Sequence, residues 1–367
     1  MQYREFGKTG LKPSILGFGM MRLPQNEDGT INEQWAIETL RKAIDNGLTY
    51  VDTAYAYKDS ERVTGLCLQD GYREKVTLAT KLPVWMVNNQ EDFDRVLGEE
   101  LERLQTDHID IYLLHALNAE RWEHIQKTGI ISFAEQAKAD GRIRHIGFSF
   151  HDDLDVFKTI LNGFDGWEFC QIQLNYMDVN YQAGLEGLRL AHEKGLAVVI
   201  MEPLRGGAIA NVPEEVAQML PKSPVESALD FLWNLPQVNV VLSGMNSTEQ
   251  VEQNMEYAAR AHAGMLSHEE VHAMLMAGNK MRSHISIPCT ACNYCNVCPN
   301  NIAIPDIFAM YNRAQQDGNS VRAMNEYRAL EERNQSSCIE CGACASACPQ
   351  QINIPEELKK LHKRWGK

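Results

Sequence analysis

Short apolar runs alternate with segments of helical periodicity through the first 260 or so residues. The runs are Ser14–Met20, Thr49–Asp52, Val76–Lys81, Ile109–His115, His145–Ser149, Phe169–Leu174, Ala197–Met201 and Val238–Ser243. Each is short and nearly continuous in apolar character, the pattern of a strand covered on both faces. Between them, Gln34–Asn46, Glu91–Leu104, Ile131–Asp140, Leu154–Asn162, Leu185–Lys194, Val225–Leu235 and Glu249–Ala258 carry apolar residues every three or four positions with charges opposite, as amphipathic helices do. Glycine closes several helices, at Asn46-Gly47, Asp140-Gly141 and Lys194-Gly195, where a left-handed residue ends the last turn. A hairpin is expected ahead of the first strand, Tyr3–Phe6 and Leu11–Lys12 about a Lys-Thr-Gly turn. Eight strand–helix alternations in roughly 260 residues have the count and size of a (β/α)8 TIM barrel. An open doubly wound sheet is the competing fold. It would carry GxGxxG between a strand and a helix, and the Gly-rich strand end here, GFGMM at 17–21, opens no helix.

From Gly264 the pattern turns helical and breaks at Ile287-Pro288, so the expected domains are a barrel over 1–280 and a small, mostly helical domain over 281–367. The methionines at 265, 274, 276 and 281 fall at roughly helical spacing and read as packing. Cysteine usage separates the two domains. Of ten cysteines, only Cys67 and Cys170 precede position 289. The other eight form two runs, CTACNYCNVCP (Cys289, Cys292, Cys295, Cys298) and CIECGACASACP (Cys338, Cys341, Cys344, Cys348). The second run matches C-x2-C-x2-C-x3-C-P, in which three cysteines hold one iron–sulfur cubane and the fourth reaches across to the other. That rule predicts one [4Fe–4S] cluster on Cys289, Cys292, Cys295 and Cys348, and a second on Cys338, Cys341, Cys344 and Cys298. The last gap of the first run is one residue shorter than the pattern, which leaves its fourth ligand less defined. Zinc sites instead pair two C-x2-C elements, a poor match to three successive x2 gaps. About 40 residues with helical stretches at Asp306–Gln316 and Val321–Arg333 separate the runs.

Net charge is −14, which argues against a nucleic-acid partner because phosphate binding needs clustered cations. No apolar run nears the roughly 18 residues of a membrane span, and the start, MQYREFGKTG, has no signal-peptide core. A cytoplasmic location is expected, where grouped thiols serve as metal ligands rather than disulfides.

A barrel does its chemistry at the carboxyl ends of its strands. Three consecutive strands end in Asp52, Lys81 and His115, and Tyr57 follows Asp52 by five residues. A phenol near pKa 10 is a weak proton donor at neutral pH. An ammonium beside it favours the phenolate, an aspartate holds the ammonium, and an imidazole can donate to a carbonyl oxygen as charge builds there. This set contains no nucleophile or metal, so the reacting partner is a cofactor, and hydride transfer fits. Tyr55, Trp85, Met86 and Ala116 follow strand-end residues and are positioned to line a substrate pocket, while HDDLD at 151–155 reads as a helix start.

The segments GFGMM, DTAYAY, SERVTG, ATK, IDIYLLH, GRIRHIGFS, QIQLNY and MEPLRGG together resemble the aldo-keto reductases over about residues 1–260. The resemblance implies Tyr57 as general acid in reduction, Lys81 and Asp52 tuning it, His115 orienting the carbonyl, and a nicotinamide dinucleotide across the barrel mouth. It implies Ser149 and Gln171 on the carboxamide, Gly19 and Met20 as first-strand contacts, Leu204, Gly206 and Gly207 along the pyrophosphate, and Ser243, Gly244, Gln250 and Asn254 in the last loop. Two departures stand out. Phe150 follows Ser149 where the family usually has Asn. The loop SGMNSTEQVEQN (243–254) has no Lys or Arg to pair with a 2′-phosphate, so NADH and NADPH both stay open. The expected activity interconverts a small-molecule carbonyl and alcohol with NAD(P)H, the clusters serving electron transfer or structure. A ferredoxin or flavodoxin-like carrier is the expected protein partner. The competing reading is a catalytically silent barrel acting as a redox-sensing or regulatory subunit.

Overall fold

The computed structural model describes residues 1–366. Eight parallel strands, β1 (Leu16–Gly19), β2 (Tyr50–Asp52), β3 (Thr77–Leu82), β4 (Ile109–Leu117), β5 (Ile143–Phe150), β6 (Phe169–Gln173), β7 (Ala197–Met201) and β8 (Val240–Ser243), close in sequence order with β8 on β1. The barrel expected from the alternation is the one observed. Along the same stretch of chain run the helices α1 (Glu33–Asp45), α2 (Ser60–Cys67), α3 (Gln90–Leu104), α4 (Ala119–Thr128), α5 (Ile130–Ala139), α6 (Leu154–Gly163), α7 (Gly184–Glu193), α8 (Glu214–Ala217), α9 (Pro224–Trp233) and α10 (Thr248–Arg260), of which α8 belongs to the second unit described below. Side chains set several helix starts: Asn32, Asn89, Asn118, Asp153 and Ser247 each accept from a backbone N–H of the first turn, satisfying donors the helix cannot. Two helices lack a sequence signal of their own. Helix α2 buries Ser60, Glu61 and Thr64 along with Val63, so its inner face reads as polar, and α4 is half charged.

The registers decide which side chains share a layer. Along β3, β4, β5 and β6, every second residue points inward. Tyr50, Ala79, Ile111, Leu113, Phe169, Ala197, Val199, Val240 and Leu242 form the apolar interior, with Phe6 from the amino-terminal segment. Phe6 lies 6.0 Å from Tyr50 and 5.8 Å from Phe169, ring centre to ring centre. Gly147 makes room for this plug, because a methyl there would stand 2.4 Å from the Phe169 carbonyl. The amino-terminal pairing is hairpin-like, with Arg4 N–H donating to Pro13 and Phe6 N–H to Leu11.

The described residues gather into two compact units, 1–203 with 228–267 and 204–227 with 268–367. The second contains α11 (His268–His284), α12 (Ile304–Asp317), α13 (Ser320–Arg328), α14 (Ala343–Ser346) and α15 (Ile354–Trp365). Glu215 of α8 pairs with Lys280 of α11 at 2.8 Å. The core of this unit joins Ile307, Phe308, Tyr327, Leu358 and Trp365, with Tyr311 and Tyr327 rings 5.7 and 5.9 Å from Trp365. No helix among the described residues is long and apolar enough to cross a membrane.

Helix α2 approaches the end of α3 through Gly65, where a methyl would meet the Arg103 carbonyl at 2.4 Å and the Leu104 carbonyl carbon at 2.9 Å. Gly65→Ala gains about 1 kcal/mol of helix propensity and meets an overpacking cost of about 1–3 kcal/mol. Backbone cannot swing aside as a side chain does, so the cost prevails. Urea unfolding is expected to show a lower midpoint for the variant; a higher midpoint would remove this close approach from the account.

Candidate functional site

One step of two residues carries each strand from the apolar interior to a polar layer: Tyr50 to Asp52, Ala79 to Lys81, Leu113 to His115, Gly147 to Ser149, and Phe169 to Gln171. All five polar residues are buried. Lys81 Nζ donates to Asp52 Oδ1 and to the Thr53 carbonyl, both at 2.6 Å. Burial pushes the Asp52 carboxyl up and the Lys81 ammonium down, and each charge holds the other's shift back. Such a pair is costly to desolvate and costly to break. A third charge joins it: Glu61, itself buried, accepts from Thr80 Oγ1 at 2.6 Å and from Arg103 at 3.3 Å, and it too favours the Lys81 ammonium.

Tyr57 stands on the loop after β2, half-buried, with its ring centre 4.8 Å from Lys81 Nζ. Its ring meets the His115 imidazole edge-on at 6.0 Å. Burial first, then the charges of Lys81, Arg121 and His151, push His115 well below the ordinary imidazole value. Protonation of the ring is thereby disfavoured, and a neutral imidazole can donate a hydrogen bond. The three strand-end residues and Tyr57, singled out in the sequence, thus converge.

The expected cofactor contacts of the barrel unit surround the same mouth. Gln171 Nε2 contacts Met201 Sδ at 3.6 Å, and its Oε1 is buried without a hydrogen-bond partner. A cofactor amide would satisfy that acceptor. Ser149 Oγ accepts from Ala116 N–H at 2.7 Å. Gly19 lies where a methyl would stand 3.3 Å from the Ser243 carbonyl, and the Met20 carbonyl accepts from Ser60 Oγ. In the last loop Asn254 Nδ2 donates to Ser243 Oγ at 3.0 Å, and Gln250 Oε1 accepts from Asn246 N–H. A cation reaches this loop from elsewhere in the chain: a methyl on Gly244 would stand 3.3 Å from Arg22 Cδ. Leu204, Gly206 and Gly207 fall in the second unit. There Gly206, at φ +64, lies so close to the chain that a methyl would stand 2.1 Å from the Thr290 carbonyl.

Sequence reasoning passed over Glu61, Arg121 and His151, and over Tyr176, whose buried hydroxyl lacks a hydrogen-bond partner. For Glu61 and Tyr176 the signal lay inside the segments SERVTG and QIQLNY. For Arg121 there was none, because its place depends on a kink in β4. A cavity of about 930 Å³ lies at the opposite end of the barrel among Arg73, His108, Asp110 and Arg144. Its cations are engaged with Asp110, at 2.9 Å for Arg73 and 3.1 Å for Arg144.

In the second unit the cysteines line two cavities. One takes Cys289, Cys292 and Cys295 with Cys348; the other takes Cys338, Cys341 and Cys344 with Cys298. Each run therefore lends its fourth cysteine to the other's cavity.

Residues 15–274 match the family model for the aldo/keto reductase family. The chain belongs to the aldo/keto reductase family. Members of this family are NAD(P)-dependent oxidoreductases, and residues 288–352 match the 4Fe-4S dicluster domain. Aldo-keto reductase YhdN of Bacillus subtilis (strain 168) is 32% identical over 176 residues, 44% of this chain and 51% of that protein, so the chain spans about half of that relative's length. L-galactose dehydrogenase of Arabidopsis thaliana is 28% identical over 281 residues, 70% of this chain and 87% of that one. Among solved structures, the holo form of aldo-keto reductase AKR11C1 from Bacillus halodurans superposes with a TM-score of 0.65 at 27% identity, covering 76% of this chain and 96% of that one.

The imidazoles of this reductase give it an acid-side weakness. Burial pushes His151 down to about 4, partly opposed by its hydrogen bond to Gln182. The folded value lies below the unfolded 6.5, so the stabilisation is present above pH 6.5 and is lost as pH falls towards 4. His151→Gln is expected to reduce the loss of urea stability between pH 7 and pH 5 by on the order of 1 kcal/mol per pH unit. An unchanged slope would show that His151 titrates normally in the folded protein.

Proposed function

We propose that this aldo/keto reductase reduces a small-molecule carbonyl to an alcohol with NADPH or NADH, and that Tyr57 donates the proton. The reading rests above all on one observation: the Lys81 ammonium is fixed by Asp52 at 2.6 Å and stands over the Tyr57 ring. When bound, a reduced nicotinamide supplies the hydride to the carbonyl carbon. His115 donates a hydrogen bond to the carbonyl oxygen, and Tyr57 passes its proton to that oxygen as the carbon accepts the electron pair. Carbonyl, reduced nicotinamide and one proton become alcohol and oxidised nicotinamide. Lys81 lowers the cost of the phenolate left behind, and Asp52 keeps Lys81 charged and in place. The buried, unsatisfied Gln171 oxygen and Ser149 suit the cofactor carboxamide, while Gly19, Met20, Ser243, Gly244, Gln250 and Asn254 line the path of the dinucleotide.

Two [4Fe–4S] clusters with crossed ligation suit the two four-cysteine cavities, Cys289, Cys292, Cys295 and Cys348 for one and Cys338, Cys341, Cys344 and Cys298 for the other. Cubanes pass single electrons, whereas hydride carries two, so direct exchange would need a splitter such as a flavin. The clusters accordingly trade electrons with an external ferredoxin or flavodoxin-like carrier.

Tyr57→Phe removes only the hydroxyl. It is expected to lower kcat by about 10²–10⁴-fold, the scale of general acid catalysis, with dinucleotide affinity by fluorescence titration nearly unchanged. Turnover equal to wild type would end the assignment of Tyr57. Anaerobically prepared protein is expected to hold about eight iron and eight sulfide per chain, and Cys348→Ser about half of each. Stoichiometric zinc without iron, or loss of all iron in Cys348→Ser with the fold retained, would contradict two crossed, separable clusters.

A further inference from the structure

At the end of β4 the ladder to β5 slips. Leu114 pairs with Phe148 and Leu117 with Phe150, and between them Ala116 sits in the left-handed region at φ +53. A residue with a Cβ rarely holds that conformation, and such kinks recur beside functional sites. Both backbone groups of Ala116 are committed. Its N–H donates to Ser149 Oγ at 2.7 Å, and its carbonyl accepts from Arg121 Nη1 at 2.6 Å.

The kink therefore anchors a cation at the residue next to His115. The guanidinium carbon of Arg121 lies 4.5 Å over the Trp85 indole, and that indole lies 5.5 Å from the His115 imidazole. Trp85 is 42% exposed and Met86 37%, an aromatic and thioether surface open beside the candidate reaction centre. The proton chemistry already has its cation in Lys81. A second one, held by strained backbone and a stacked indole, makes it harder still to protonate His115 and has no part in moving a proton. The neighbouring acid in sequence, Asp152, accepts from the backbone N–H groups of Ala119 and Asp153 at 2.9 and 2.8 Å. His151, hydrogen-bonded to Gln182 at 3.3 Å, adds a neutral wall.

We propose that Arg121 receives a carboxylate of the substrate, so that the preferred carbonyl compounds carry an anionic group within reach of the Trp85 face. This deepens the reductase reading and rests on it. A planar guanidinium matches a carboxylate in shape and charge, and Trp85 supplies the apolar floor between anion and carbonyl.

The probes are 4-carboxybenzaldehyde and 4-carbamoylbenzaldehyde, nearly equal in shape and different in charge. With reduced nicotinamide and intact protein, kcat/KM is expected to favour the acid by about tenfold or more, the discrimination of one charge-assisted pair. Arg121→Gln, which keeps a donor for the Ala116 carbonyl, is expected to bring that ratio close to one through KM for the acid, and Arg121→Lys to restore part of it. A wild-type ratio near one, or the same ratio in Arg121→Gln, overturns the proposal. If neither aldehyde is reduced, the reductase reading fails on its own, and calorimetric titration of benzoate into the holoprotein still decides the anion site. Affinity lowered about tenfold in Arg121→Gln supports it, and equal affinity overturns it.

Discussion

Everything at the barrel mouth depends on the buried contact between Lys81 and Asp52. Two opposite charges removed from water are expensive, and burial works against both. The barrel meets that cost with geometry. Asp52 and Lys81 continue the inward face of adjacent strands one step beyond the apolar interior, and the Thr53 carbonyl accepts a second bond from the same ammonium. Glu61 adds a second negative charge from α2, the helix that Gly65 lets approach α3 closely. The ammonium is thus held in place by Asp52 and the Thr53 carbonyl, and the Tyr57 ring stands beside it.

The same principle, a charge held by structure, recurs at His115 and Arg121. Burial first, then the neighbouring cations, disfavours protonation of His115, which suits the proposed role of orienting the carbonyl oxygen. Arg121 is held by a kinked strand end and an indole. On the proposed reading, one face of the mouth delivers a proton and another recognises an anion, each with its own cation.

The fold was legible because strand and helix differ in hydrophobic period, and Asp52, Tyr57, Lys81 and His115 were legible because each ends or closely follows a strand. The grouping of the cysteines was legible in the second run, whose C-x2-C-x2-C-x3-C-P pattern gives its fourth cysteine to the other set, while the shorter last gap of the first run left its fourth ligand less defined. Other features were hidden for physical reasons. Helix α2 buries polar residues against the strands, which erases its apolar stripe. Arg121 reaches the mouth only through the left-handed turn at Ala116, and a conformation of that kind at a non-glycine residue leaves no mark in the sequence. Arg22 lies far along the chain from the last loop, so reading that loop alone finds no cation near it. The return of 204–227 to the second unit likewise depends on the close approach of Gly206 to Thr290 and the pairing of Glu215 with Lys280, which no local pattern announces.

The central claim is that the mouth of the barrel delivers a hydride and a proton to one carbonyl without electrons from the cysteine-rich unit. The most direct measurement uses reduced nicotinamide deuterated at C4, anaerobically, with mass spectrometry of the alcohol formed from 4-carboxybenzaldehyde. The account predicts deuterium on the carbinol carbon from one face of the nicotinamide and none from the other. Alcohol that carries solvent hydrogen there, whichever face is labelled, would mean that the electrons reach the substrate by another route.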